Sequence, residues 1–217
     1  MITPDVTGTS PNYSPASWWW ERRAVIIHST RSGIAGNDDW TSTLNWFARS
    51  DSHASSHWLV GRDGRTARIV PDIYPAWHAG DHNVYAFGIE LEQPTIDTPF
   101  TDTQLVKAAE IVKDYALTYN IPATHISGLL QGEWGVIGHD ETEGGKEHGK
   151  SDPGPMFPWE EFMEMINTDV TFGASNAALW AAIENLQDDN AALWAAIESL
   201  RKALRGQARE ITAEVGN

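Results

Sequence analysis

His28 closes the apolar run Ala24-Val25-Ile26-Ile27, His139 stands within Gly138-His139-Asp140-Glu141, and Asp152 stands within Lys150-Ser151-Asp152-Pro153-Gly154-Pro155. Two imidazoles and one carboxylate are a common catalytic zinc set, because three protein ligands leave a fourth coordination position for a water. Zinc lowers the pKa of such a water to roughly 7 and polarises a carbonyl, so the set suits attack on an amide. The first ligand is separated from the others by most of the chain, unlike the compact HExxH signature that sets two ligands on one helical face. A fold must therefore bring them together. The chain has no cysteine, which excludes disulfides and thiolate ligands and leaves His, Asp or Glu to hold any zinc.

Hydrolysis also needs a base for the attacking water and a proton for the leaving amine. The run Gly88-Ile89-Glu90-Leu91-Glu92 offers two carboxylates, and strand alternation sends Glu90 and Glu92 to one face with Leu91 opposite, without choosing between them. Trp77 and His78, in Trp77-His78-Ala79-Gly80, suit a substrate groove, since Trp offers a flat amphipathic face to a sugar or peptide. His53 and His57 have i, i+4 spacing, but Ser55-Ser56 and the strand-like Trp58-Leu59-Val60 argue against a helix there, so the pair reads as structural. His148 is given no role.

Six runs occur in order: Ile26-Ile27-His28-Ser29-Thr30, Ser55-Ser56-His57-Trp58-Leu59-Val60-Gly61-Arg62-Asp63-Gly64, Ala76-Trp77-His78-Ala79-Gly80, Phe87-Gly88-Ile89-Glu90-Leu91-Glu92, Gly138-His139-Asp140 and Lys150-Ser151-Asp152-Pro153-Gly154-Pro155. Over residues 18–166 the chain closely resembles the type 2 N-acetylmuramoyl-L-alanine amidases, a zinc family that includes phage lysins and shares its fold with peptidoglycan recognition proteins. The resemblance implies a central mixed β-sheet flanked by helices, with His28, His139 and Asp152 as ligands of one Zn2+ per chain. It further implies that Glu90 is the catalytic glutamate, that Lys150 stabilises the tetrahedral oxyanion, and that Ser56, His57, Trp77 and His78 border the substrate. The implied reaction cleaves the bond between the lactyl group of N-acetylmuramic acid and L-alanine in bacterial peptidoglycan. Some relatives carry Cys where Asp152 stands, and some phage relatives place a catalytic tyrosine directly before the residue matching His57. Here that position is Ser56, which assigns the acid/base work to Glu90. Two other readings stand beside the enzyme: a peptidoglycan-binding module without catalysis, and a virion-associated structural protein.

The elements that would position these groups alternate between strand and helix, the pattern of one α/β unit. A β-branched run at 24–27 predicts a buried strand, and Asp38 or Asp39 can cap a helix carrying Trp40, Leu44 and Phe47. Strands at 57–60 and 66–70 flank Asp63-Gly64, a hairpin signal, and 85–91 reads as a further strand. Thr101-Asp102-Thr103-Gln104 has the form of a capping box, followed by Leu105, Ala109, Val112 and Ala116 at helical spacing to about Tyr119. Pro158 suits the first turn of a last helix carrying Phe162, Met165 and Ile166.

The expected organisation is an extended arm at 1–17, a catalytic domain at 18–169, a linker at 170–175, a heptad-repeat helix at 176–205 and a polar tail at 206–217. Residues 176–186 read NAALWAAIENL and residues 190–200 read NAALWAAIESL, an offset of two heptads. With Ile183, Ile197 and Leu204 at a and Leu179, Leu186, Leu193 and Leu200 at d, the segment predicts a coiled coil and a homo-oligomer, Asn176 and Asn190 selecting register. Trp180 and Trp194 at e and Ala182 and Ala196 at g widen the stripe, which leaves a higher oligomer or docking on the catalytic domain open. With 15 basic and 30 acidic residues, the formal charge of −15 repels nucleic acid and anionic membrane surfaces. No stretch approaches the ~18–20 apolar residues of a membrane span, so no membrane insertion is expected. The first residues lack the basic and apolar regions of an export signal. The expectation is synthesis in the bacterial host cytoplasm without a signal peptide and action at the cell wall after release, as a phage endolysin does.

Overall fold

The computed structural model describes residues 2–15, 21–31, 39–128 and 133–168. The expected linker, heptad helix and tail lie outside them, as does Asp38, one of the two proposed helix caps. The β-branched run becomes β2 (Ala24–Ser29), in which every residue is buried. Two further buried strands flank it in parallel: β5 (Ala86–Leu91) on one side and β6 (Gly135–Gly138) on the other. Beyond β5, β3 (Trp58–Val60) runs parallel to it and forms an antiparallel hairpin with β4 (Thr66–Arg68), closed at Asp63-Gly64 as the sequence predicts. Gly64 has φ 85°, the left-handed conformation that makes glycine the favoured residue of such a turn. The short strand β1 (Val6–Thr7) pairs parallel with β4, giving the described mixed sheet the order β1-β4-β3-β5-β2-β6.

Two of these strands were not anticipated. The N-terminal arm is docked by pairing and by the Asp5 carboxylate, which accepts from the Thr66 N–H (2.8 Å) and hydroxyl (3.0 Å). In β6 the run Gly135-Val136-Ile137-Gly138 has two apolar residues between glycines, too little pattern to signal a strand.

Alternation along the central strands divides the molecule into two sides. Val25, Ile27, Phe87, Ile89 and Leu91 face a core shared with α2 (Asp102–Tyr119) and α4 (Trp159–Asn167). Thr101 caps α2 by accepting from the Gln104 N–H, but the capping box is not closed. The Gln104 amide instead donates to the carbonyls of Val60 and Glu92, both at 3.0 Å. Tyr115 of α2 stacks on Phe87 at 3.9 Å between ring centroids and accepts from the Trp58 indole N–H at 2.9 Å. On the opposite side, α1 (Asp39–Phe47) buries Trp40 and Phe47 against Leu59, Ala67 and Ile69. His28, Gly88 and Glu90 share that side with Ile26 and Ala86. Because β5, β2 and β6 are adjacent and parallel, their carboxyl ends meet at one edge, where ligands bind in open α/β sheets.

Candidate metal centre

His28 is the penultimate residue of β2, held at 2% exposure by the strands on both sides, and its register partner on β5 is Glu90. His139 follows directly on β6. Gly138 permits its approach to the loop beyond, because a Cβ there would lie 2.5 Å from Asp140 Oδ1 and 2.9 Å from Pro153 Cδ. Asp152 comes from that loop, which is tied to the His139 turn by Asp140 N–H donating to the Asp152 carbonyl at 2.8 Å. On its other flank the Arg31 guanidinium donates to the Ser151 hydroxyl at 2.6 Å and to the Ser151 carbonyl.

Asp152 Oδ2 lies 3.1 Å from His28 Nδ1 and 3.0 Å from His139 Nδ1. One ligand atom from each of the three residues falls within 4.8 Å of the others. Bonds of about 2.0–2.1 Å from nitrogen and oxygen to a tetrahedral zinc would set its ligand atoms roughly 3.3 Å apart, so this donor set fits such an ion with small adjustment. Burial pushes His28 down to about 4, against the pull of Asp152, so its imidazole is neutral as a ligand must be. Burial alone would raise the Asp152 carboxyl, but hydrogen bonds to His139 and His28 outweigh it and hold the group well below the ordinary carboxylate range.

Glu90 presents its carboxyl beside this cluster, in a cavity of about 230 Å³ lined also by His28, His139, Lys150, Asp152, Phe47, Ala54, Trp77 and His78. Its Oε2 is buried with no hydrogen-bond partner. Burial, followed by the charge of Asp152, pushes Glu90 up to about 8, with Lys150 and Arg31 pulling the other way. Glu92, which alternation could not separate from it, lies beyond the end of β5 and accepts from the Arg62 N–H at 2.9 Å. It supports a loop and does not line the cavity. Lys150 is exposed and borders both this cavity and a larger one of about 1230 Å³, which Trp77, His78 and His139 also line. Trp77 is fixed through its indole N–H, which donates to the Ser14 hydroxyl at 3.0 Å.

Two of the four expected substrate-bordering residues, Trp77 and His78, thus face open space, and the other two require correction. Ser56 and His57 are fully buried. The Ser56 hydroxyl bonds to the carbonyls of Trp58 and Gly88, both at 2.8 Å. His57 Nδ1 accepts from the Gly88 N–H at 3.0 Å while Nε2 donates to the Tyr74 carbonyl at 3.1 Å. Their polar atoms are consumed by β5 and the 71–78 segment, and neither reaches the cavities. His53 is exposed, with φ 49°, and is no partner for the buried His57. His148, the residue that follows the short helix α3 (Glu143–Glu147), contacts the Gly144 carbonyl through Nδ1 at 2.7 Å and borders the larger cavity. Sequence reasoning missed Phe47 and Ala54 as cavity walls, Arg31 as the clamp on the Asp152 loop, and the contact of His78 with His28. None carries a spacing signal, since each depends on elements that meet only in the fold.

A family model described as N-acetylmuramoyl-L-alanine amidase matches residues 20–155. The chain is 30% identical over 169 residues to N-acetylmuramoyl-L-alanine amidase A of Achromobacter lyticus, covering 73% of this chain and 90% of that protein. It is 33% identical over 122 residues to the 1,6-anhydro-N-acetylmuramyl-L-alanine amidase AmpD of Enterobacter cloacae, of which it spans 58%. Its fold matches the crystal structure of an AmpD derivative with a TM-score of 0.59 at 24% identity, over 77% of this chain and 97% of that one.

Proposed function

Because the chain belongs to the N-acetylmuramoyl-L-alanine amidase family, we propose that it cleaves the amide between N-acetylmuramic acid and L-alanine of bacterial peptidoglycan, with one zinc ion on His28, His139 and Asp152. The observation that carries this reading is the meeting of two imidazoles and a carboxylate next to a glutamate whose Oε2 is buried without a hydrogen-bond partner. Zinc at such a centre supplies Lewis-acid polarisation of the amide carbonyl and acidifies water. Glu90 takes a proton from the attacking water and delivers it to the departing amine of L-alanine as the C–N bond breaks. Without metal, burial lifts this carboxyl to about 8, and a zinc ion bound beside it would draw that value down, so that the group could both take and return a proton. The Lys150 ammonium offsets the charge that builds on the carbonyl oxygen. Trp77 offers its face to the glycan or the stem peptide along the larger cavity.

The test is release of new amino termini from purified walls, abolished by a chelator and restored by zinc, with Glu90→Ala retaining zinc but losing release. Wall binding with no release, together with no cleavage of a 1,6-anhydro-N-acetylmuramyl-L-alanine fragment, overturns the enzyme in favour of a binding module, and equal release by Glu90→Ala removes that residue from the mechanism. The identity to AmpD supports a second substrate reading, a 1,6-anhydro-N-acetylmuramyl-L-alanine fragment. Comparing its turnover with that of intact walls separates the two. For the setting, we propose a phage endolysin that reaches the wall after release from the host cytoplasm, joined into a homo-oligomer by the heptads at 176–205. Light scattering of the purified chain tests the assembly, and a monomer at all concentrations rules it out.

A further inference from the structure

Residues 10–14 of the N-terminal arm lie ahead of residues 20–155, which the family model covers, yet they hold two walls of the larger cavity. The side-chain nitrogen of Asn12, a residue 2% exposed, lies 2.8 Å from the Arg49 carbonyl, 2.9 Å from the Ser52 hydroxyl and 3.1 Å from the Ala54 carbonyl. Carbonyl oxygens can only accept, so these neighbours fix the orientation of the amide. The Asn12 carbonyl in turn accepts from the Ser55 hydroxyl, which accepts from the Trp77 N–H at 2.8 Å. Tyr13 forms an antiparallel bridge with Ala76, and the Ser14 N–H donates to the Pro75 carbonyl at 2.9 Å. The arm therefore runs beside the 74–77 segment, which brings the Ser14 hydroxyl to the Trp77 indole.

Ala54 and Trp77 each line both cavities. The arm holds Ala54 through Asn12, and it holds Trp77 through Ser14 and, by way of Ser55, through Asn12. These hydrogen bonds end on walls, whereas the three metal ligands, Glu90 and Lys150 are carried by β2, β5 and the segment that follows β6. A ring fixed before its ligand arrives loses less freedom on binding than one that must be ordered then.

We propose that residues 10–14 are a built part of the substrate groove, with Ser14 and Asn12 as positioning residues: Ser14 sets the face that Trp77 offers, and Asn12 sets the Ala54 wall. The proposal rests on the amidase reading for the identity of what the groove holds. Groove walls hold the substrate alike before and during bond cleavage, so loosening them raises KM and leaves kcat unchanged.

Ser14→Ala is expected to raise KM for purified walls about 2–10-fold, as one lost hydrogen bond would, with kcat and zinc content unchanged. Ser14→Thr keeps the hydroxyl and should retain the parent KM. In Trp77→Phe, which has a ring but no indole N–H, adding Ser14→Ala should change nothing further. Asn12→Asp exchanges the donor for an acceptor of the same shape and should raise KM more than Ser14→Ala does. If Asn12→Asp does not fold, Ser14→Ala and its combination with Trp77→Phe still decide. An unchanged KM in Ser14→Ala, a loss expressed in kcat instead, or an undiminished effect in the Trp77→Phe background overturns the proposal. Hydrogen exchange at the Trp77 indole N–H, identified by its absence from Trp77→Phe, tests the docking without substrate. It should be slow in the parent and fast in Ser14→Ala, and equal rates overturn the proposal. A parent that neither binds nor cleaves walls sinks the amidase reading, and the exchange rates then judge the arm alone.

Discussion

Glu90 and Lys150 make opposite demands on the fold. Burial of Glu90, with Asp152 nearby, raises its carboxyl from 4.5 to about 8, so the metal-free folded chain holds a proton that the unfolded chain releases. The sign follows from linkage. Between these two values the native state binds more protons, so this group's contribution to stability falls as pH rises and levels off above about 8. Glu90→Gln removes that dependence. In chelator, its melting temperature is expected to match the parent below pH 4.5 and to exceed it by a widening margin up to about pH 8. A margin that does not change with pH would show that Glu90 is not lifted. Lys150, exposed in its loop, adds little to stability, and Lys150→Met is expected to lower kcat by roughly 10²–10³ while zinc content stays the same. A loss confined to KM would place Lys150 in ground-state binding instead.

At the scale of elements, the site depends on short connections more than on the long helix. Gly138 lets the end of β6 meet the Pro153 loop, and Gly138→Ala would drive a Cβ to 2.5 Å from Asp140 Oδ1. Zinc affinity is expected to drop by at least about tenfold through displaced ligands, as isothermal titration would show. Thr101→Ala removes the cap of α2 on the far side of the sheet, and should cost about 1 kcal/mol in denaturant unfolding with turnover unchanged. The same contrast explains what could be read in advance. The α2 stripe and the Asp63-Gly64 hairpin are legible because helical period and turn chemistry are local. His28 could be singled out as the end of a buried strand, but only its family motif made it a ligand. Glu90 and Glu92 were equivalent by alternation until Arg62 N–H, contributed by the neighbouring hairpin, engaged Glu92. Ser56 and His57 were misplaced because their burial is decided by β5, which no feature of their own segment announces.

For the molecule as a whole, a formal charge of −15 sets the terms on which it meets a polymer bearing stem-peptide carboxylates. Like charge slows encounter, and salt screens it over a Debye length of about 10 Å at 0.1 M. Raising ionic strength from about 0.01 to 0.15 M is therefore expected to lower the apparent KM for walls while leaving kcat nearly constant. A KM that rises with salt would point to a cationic contact that outweighs the net charge. Among the described residues, no helix is long and apolar enough to cross a membrane.

Strand alternation puts the aromatic stack of Phe87 and Tyr115 on the side of the sheet opposite His28 and Glu90. For protein engineering this amounts to two separate dials. Repacking the hydrophobic layer beneath the long helix can harden the enzyme against heat, while residues on the other surface are varied to change which cell-wall fragments it accepts, and neither programme of mutations need undo the other.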